Sequence, residues 1–169
     1  MELSVRIRKE QLRDYNEVRA VNESAFHRPD EADLVDRLRE EGVIILSLVA
    51  ELDGQIVGHI LFSRMSIETA QGALPAVSLA PMAVLPSYQG RGVGSGMVRH
   101  GLAELRARGE GIVIVLGHKT YYPRFGFASE RARSLSSPFP QDAFMALELA
   151  DGALANVRGA VRYPAAFGL

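Results

Sequence analysis

A mixed α/β fold, one central sheet with helices on its faces, is what this 169-residue sequence predicts. Three observations carry that reading. Two apolar segments meet at Asp53-Gly54, a dipeptide that supplies the left-handed residues of a two-residue hairpin turn. The unbroken apolar run Ile112 to Leu116 has the character of a strand buried on both faces. Around them lie segments whose apolar residues recur at helical spacing. With 47% hydrophobic and 23% charged residues, the chain suits one globular domain over 1–169 with a substantial core.

Taken in order, Ser4 to Arg8 alternates as a short strand, and a polar helical pattern follows from about Glu10 to Ala25. A second helix spans Asp30 to Glu41, with Leu34, Val35 and Leu38 as its apolar stripe. Val43 to Leu52 and Gln55 to about Glu68 are the hairpin strands, and a turn near Ala70 to Ala73 leads into a strand from about Ala76 to Leu85. From Gly92 to about Arg108, Val93, Met97, Val98, Leu102 and Leu105 mark one helical face; Gly109 and Gly111 stop it. The buried strand comes next, then the aromatic segment TYYPRFGF, a polar loop over Ser134 to Gln141 and a strand near Phe144 to Leu149. The tail from Val157, with Gly159, Pro164 and Gly168, is expected to pack irregularly. No repeats, low-complexity segments or linkers interrupt the chain.

Composition narrows the function. A net charge of −1 offers no general field for nucleic acid or an anionic membrane. The absence of cysteine excludes disulfides, thiolate metal sites and a cysteine nucleophile. The four histidines, at 27, 59, 100 and 118, show no metal-ligand spacing, so no catalytic metal is expected. The start, MELSVRIRKE, is charged and alternating, unlike a signal peptide, and no apolar run approaches the roughly 18 residues that span a bilayer. A cytoplasmic protein without nucleic-acid or membrane partners is expected.

The richest stretch runs from Leu79 to Ser95, LAPMAVLPSYQGRGVGS. Gly90, Gly92 and Gly94 let the backbone turn tightly and approach a ligand with no Cβ in the way, while the following helix aims its N-terminal N–H groups at the same spot. The segment reads as a cradle for phosphate. It is not a P-loop, since no lysine stands where that motif needs one, and it is not G-x-G-x-x-G, whose last position would fall on Ser95 or Met97. Pro81 adds a second signal: it lacks an N–H, so strand pairing should fail or bulge beside it.

The pattern present is Q-x-x-G-x-G, at Gln89, Gly92 and Gly94, after a strand ending Met82-Ala83-Val84 and before an amphipathic helix. About thirty residues on comes Tyr121-Tyr122-Pro123-Arg124-Phe125-Gly126-Phe127. Together these resemble the two signatures of the GCN5-related N-acetyltransferase (GNAT) superfamily, and the aromatic wording and the ending resemble its YhbS-like bacterial branch. The resemblance implies a mixed, mostly antiparallel sheet with a splayed acetyl-CoA cleft. It also implies acetyl transfer from acetyl-CoA to a primary amine by direct attack in a ternary complex. On that resemblance Met82, Ala83 and Val84 supply backbone groups to the pantetheine arm and the oxyanion. Gln89, Gly90, Arg91, Gly92, Val93, Gly94 and Ser95 form the pyrophosphate cradle, Phe125 lines the cofactor, and Tyr122 is the general acid. No base is singled out: Glu68, His59, Glu23, Glu31 and His118 all stand open, as do the acceptor, the acyl-chain length and the choice between monomer and homodimer. A non-catalytic acyl-CoA-binding sensor is the alternative, and turnover separates the two.

Overall fold

The computed structural model describes residues 3–169, and eight strands form one mixed, mostly antiparallel open sheet in the order β1-β2-β3-β4-β5-β7, with β8 pairing β3 and β6. Two compact units divide the chain: Met1–Phe62 with Pro81–Gly101, and Ser63–Ala80 with Leu102–Leu169.

In the first unit β1 (Arg6–Lys9) pairs antiparallel with β2 (Ile44–Leu52), Arg6 opposite Glu51 and Lys9 opposite Leu48. Helix α1 (Tyr15–Phe26) begins about five residues later than the expected start near Glu10, because Leu12–Asp14 is a 3-10 turn. Asp14 fixes that turn: it accepts the Gln11 N–H at 2.7 Å and receives two hydrogen bonds from Arg8. Helix α2 (Asp30–Glu41) carries Asp30, Glu31 and Asp33 in its first turn, where they complement the helix dipole, and stops at Gly42, whose φ is +74°. Its buried residues are Ala32, Val35 and Leu38, at spacings of three, and Leu34, expected in the stripe, lies beside that line and is only half-buried. Asp53 and Gly54 have φ of +50° and +79°, the left-handed pair the hairpin signal required. Beyond them β3 (Gln55–Thr69) is buried on both faces from Ile56 to Ser63, as a central strand is.

The second unit holds the far half of β3 and most of β4 (Gly72–Val84). The parallel ladder from β4 to β5 (Ile112–Leu116) consists of Val77 with Val113 and Ser78 with Ile114, three residues before Pro81. On its other edge β5 pairs antiparallel with β7 (Phe144–Glu148) along its whole length. Two strands were not visible in the sequence. Leu135–Ser136, in the expected polar loop, is β6, and Gly159–Arg162, in the expected irregular tail, is β8. Strand β8 pairs antiparallel with β3 from Ser66–Arg162 to Thr69–Gly159, and it can approach so closely because a Cβ on Gly159 would collide with the Glu68 carbonyl. The core of this unit gathers Met65, Ile67, Ile112, Ile114, Phe144 and Val161. Among the described residues no helix is long and apolar enough to cross a membrane.

Candidate active site

The glycine-rich segment lies in the first unit and is anchored at both ends. At the end of β4 the Leu85 N–H donates to Val57 O at 2.9 Å, and a 3-10 turn covers Pro86–Tyr88. Gln89 then reaches back, its Nε2 donating to Val84 O at 2.9 Å. That bond ties the strand end to the loop, so Gln89 acts on the Val84 carbonyl with its side chain. Gly90 and Gly92 have φ of +72° and +85°, and a Cβ on Gly90 would meet nothing within 4 Å, leaving the backbone open to a close-approaching group. Between them Arg91 is exposed and its carbonyl accepts the Leu3 N–H at 2.9 Å. Gly94 differs from its neighbours. It sits in the first turn of α3 (Val93–Ala107) without a left-handed φ, so its contribution is the missing side chain and not a turn.

Helix α3 aims its N-terminus at the loop. The first helical bond runs from Gly96 N–H to Gly92 O at 3.0 Å, which places the N–H groups of Val93, Gly94 and Ser95 ahead of the helical ladder, at the positive end of the dipole. Val93 as a whole is 1% exposed, and its side chain packs down against Gly58 of β3. Two further glycines, unremarked in the sequence, set the height of the helix on the sheet. A Cβ on Gly101 would stand 2.5 Å from Cζ of Phe62, and one on Gly58 would stand 2.9 Å from Cε of Met97 and 3.1 Å from Cγ1 of Val93. On β4, Ala83 is buried, while Met82 and Val84 are half-buried on the alternate face.

The aromatic segment lies in the second unit. His118 O accepts the N–H groups of Tyr121 at 3.0 Å and Tyr122 at 3.3 Å, closing a turn that starts the 3-10 helix Tyr122–Phe125. The Tyr122 ring is 8% exposed and is boxed edge-on by Tyr121, with centroids 5.1 Å apart, and by Phe127, at 5.8 Å; Phe125 tilts against it at 6.5 Å. Burial, with a smaller contribution from Tyr121, pushes the Tyr122 hydroxyl up to about 12. It is a phenol, not a phenolate, at any physiological pH. The Arg124 guanidinium covers the Tyr121 ring at 4.6 Å from its centroid.

Each of the five candidate bases has its own setting, Glu23, Glu31 and His59 in the first unit and Glu68 and His118 in the second. His59 is fully buried, its Nδ1 3.1 Å from Asn22 Nδ2 and its Nε2 2.9 Å from Ser47 Oγ. The Ser47 hydroxyl donates to Glu10, which is paired with Arg39. Since Ser47 Oγ spends its proton on Glu10, His59 donates from Nε2 and accepts at Nδ1. Burial and then Arg39 push its pKa down to about 3, so His59, one of the five groups left open as a base, is a neutral structural side chain. Glu31 is held below the ordinary carboxylate range by a bidentate Arg28, which weakens it as a base. Glu23 lies 3.7 Å from Arg19, Glu68 lies 3.5 Å from Arg162, and His118 is exposed. Sequence reasoning missed the chain Asn22–His59–Ser47–Glu10–Arg39, buried at Asn22 and His59 and part-buried beyond, whose members come from α1, β3, β2, the turn after β1 and α2.

A mixed open sheet, with a glycine cradle at the N-terminus of a helix following its fourth strand, defines an acyl-CoA-type transferase fold. The chain belongs to the GNAT acetyltransferase family: the family model for the acetyltransferase (GNAT) domain matches residues 6–129. It is 42% identical over 134 residues to YjhQ, an uncharacterized N-acetyltransferase of Escherichia coli K12, covering 76% of this chain and 74% of that one. It is 38% identical over 142 residues to YhbS of the same strain, also an uncharacterized N-acetyltransferase, covering 82% and 84%. Among solved structures it superposes on E. coli YhbS in complex with CoA with a TM-score of 0.91 and 35% identity, covering 100% of this chain and 94% of that one. A GNAT family acetyltransferase from Brucella melitensis in complex with acetyl-CoA gives 0.82 and 37%, covering 97% and 98%.

Proposed function

We propose that residues 1–169 form one acetyltransferase domain that transfers the acetyl group of acetyl-CoA to a primary amine on a small molecule, a peptide N-terminus or a protein lysine. The observation that carries this reading is the cradle: left-handed Gly90 and Gly92, open space at Gly90 and the N-terminus of α3 together suit a pyrophosphate. The complexes of its relatives with CoA and acetyl-CoA support the same ligand. Arg91, exposed beside the cradle, adds positive charge.

In the proposed reaction the amine nitrogen attacks the thioester carbonyl carbon, the C–S bond breaks and the sulfur leaves as CoA thiolate. Backbone groups of Met82, Ala83 and Val84 hold the pantetheine arm and stabilise the oxyanion. Gln89 keeps the end of that strand in place through Val84 O. Phe125 packs against the cofactor, and Tyr122 gives its proton to the thiolate. The proton lost by the ammonium passes to a base or to water, and Glu68, Glu23 and His118 are the exposed groups left for it. Removal of His59 and weakening of Glu31 favour, as a second reading, a CoA sensor without turnover. Acetyl-CoA and bacterial relatives fit a cytoplasmic bacterial enzyme, monomeric or homodimeric.

The test is calorimetric titration of acetyl-CoA into the native protein and Gly92→Asp, followed by an amine screen read as CoA thiol release. Binding abolished in the variant, with acceptor-dependent release, upholds the transferase. Binding without release in any acceptor leaves the sensor. No binding removes both.

A further inference from the structure

Gly117 follows β5 immediately, and its N–H donates to Ala143 O at 3.0 Å. It is not one of the left-handed glycines, so its backbone conformation is open to any residue. The need for glycine is a need for space. A Cβ there would stand 2.9 Å from Cδ2 and 3.5 Å from Cζ of Tyr122, and closer still to Cε2. Real Cβ atoms do not come that near, so the ring or the strand end would have to move.

The ring has little freedom to yield. Phe127, itself 1% exposed, and Tyr121 stand edge-on against it, and the two bonds to His118 O fix the main chain from which it projects. Among the described residues the Tyr122 hydroxyl has no hydrogen-bond partner, so packing alone aims it. We infer that Gly117 is a positioning residue for Tyr122: the missing side chain at the end of β5 sets where the phenol hydroxyl stands. The inference rests on the proposed role of Tyr122 as proton donor. A displacement of about 1 Å in a reacting group lowers rate by up to roughly 100-fold.

The experiment compares native protein, Gly117→Ala, Tyr122→Phe and the double variant. Thiol release is followed with acetyl-CoA and phenethylamine as the generic primary amine, and acetyl-CoA affinity is measured by calorimetry. In parallel, tyrosine labelled with carbon-13 at Cζ reports the ring directly, the Tyr122 signal being identified by its loss in Tyr122→Phe. Gly117→Ala is expected to lower turnover about 10- to 100-fold, to leave acetyl-CoA affinity within about twofold, and to have no further effect on Tyr122→Phe. It should also shift the Tyr122 resonance and lower the pH at which it titrates, as the ring moves toward solvent. An unmoved resonance and titration in folded Gly117→Ala would overturn the inference. So would full turnover in Gly117→Ala when Tyr122→Phe is impaired. Full turnover in Tyr122→Phe instead overturns the proton-donor reading, and then the resonance alone decides whether Gly117 sets the ring.

Discussion

The cradle and the tyrosine box are built on opposite principles. Around Gly90 and Gly92 the groups proposed to bind are main-chain N–H, and the structure works by removing side chains from a turn. Around Tyr122 the group proposed to act is one hydroxyl, and the structure works by crowding side chains round a ring, with Tyr121, Phe125 and Phe127 on its flanks. The first should therefore tolerate almost any change outside its glycines, since a backbone donor survives mutation of its own side chain. The second should respond to volume anywhere in its box.

The largest effect expected from that contrast is in Gly92→Asp. It forces a non-glycine residue to φ +85° and adds a carboxylate at the proposed anion site, so acetyl-CoA affinity should fall at least about 100-fold by calorimetry. Unchanged affinity would mean that the cradle binds through something other than its main chain. Next comes Tyr122→Phe, which keeps the box filled and removes only the proton: turnover should drop about 100-fold or more while acetyl-CoA affinity stays within about twofold. If affinity falls instead, the ring belongs to binding and the contrast between the regions collapses.

Gly101→Ala sharpens the comparison, because it disturbs the cradle from beneath without touching it. The new methyl meets the buried Phe62 ring, so a loss of about 1–3 kcal/mol in urea denaturation is expected. Any weakening of acetyl-CoA binding would show how finely the height of α3 is set. The smallest effect belongs to pH. His59 is held neutral, with its pKa depressed to about 3 in the folded chain against roughly 6.5 unfolded. The unfolded chain binds the extra proton between those values, so this group's stabilisation is complete above pH 6.5 and is lost as pH falls toward 3. Glu10, raised by burial, works in the opposite direction. Urea midpoints at pH 7 and pH 5 should therefore show a decline in the native protein that flattens in His59→Leu; an unaltered slope would place the pH response elsewhere.

What the sequence disclosed follows the same division. Local backbone demands were legible: Asp53-Gly54, Gly90 and Gly92 each announce a left-handed turn by residue type. Helix α2 also runs over the expected Asp30–Glu41, since its apolar spacing and terminal Gly42 are local signals. Contacts between distant residues were not legible. Nothing near Gly117 says that Tyr122 needs its space, and nothing near His59 says that Asn22 and Ser47 will satisfy both its nitrogens. Strand β8 was hidden for the same reason, since four residues with one fully buried side chain carry almost no periodicity and take their conformation from β3.

That late strand bears on how the chain is made. Residues of β3 and β8 that face one another are roughly ninety positions apart, and closing so long a loop is slow. A ribosome releases β3 well before β8, and until β8 arrives Ser66 to Thr69 show an unfilled ladder edge, the template on which nascent chains stick to one another. A chain shortened to end before Gly159 would keep that edge for life, and its yield in the soluble fraction would report how much the final strand protects it.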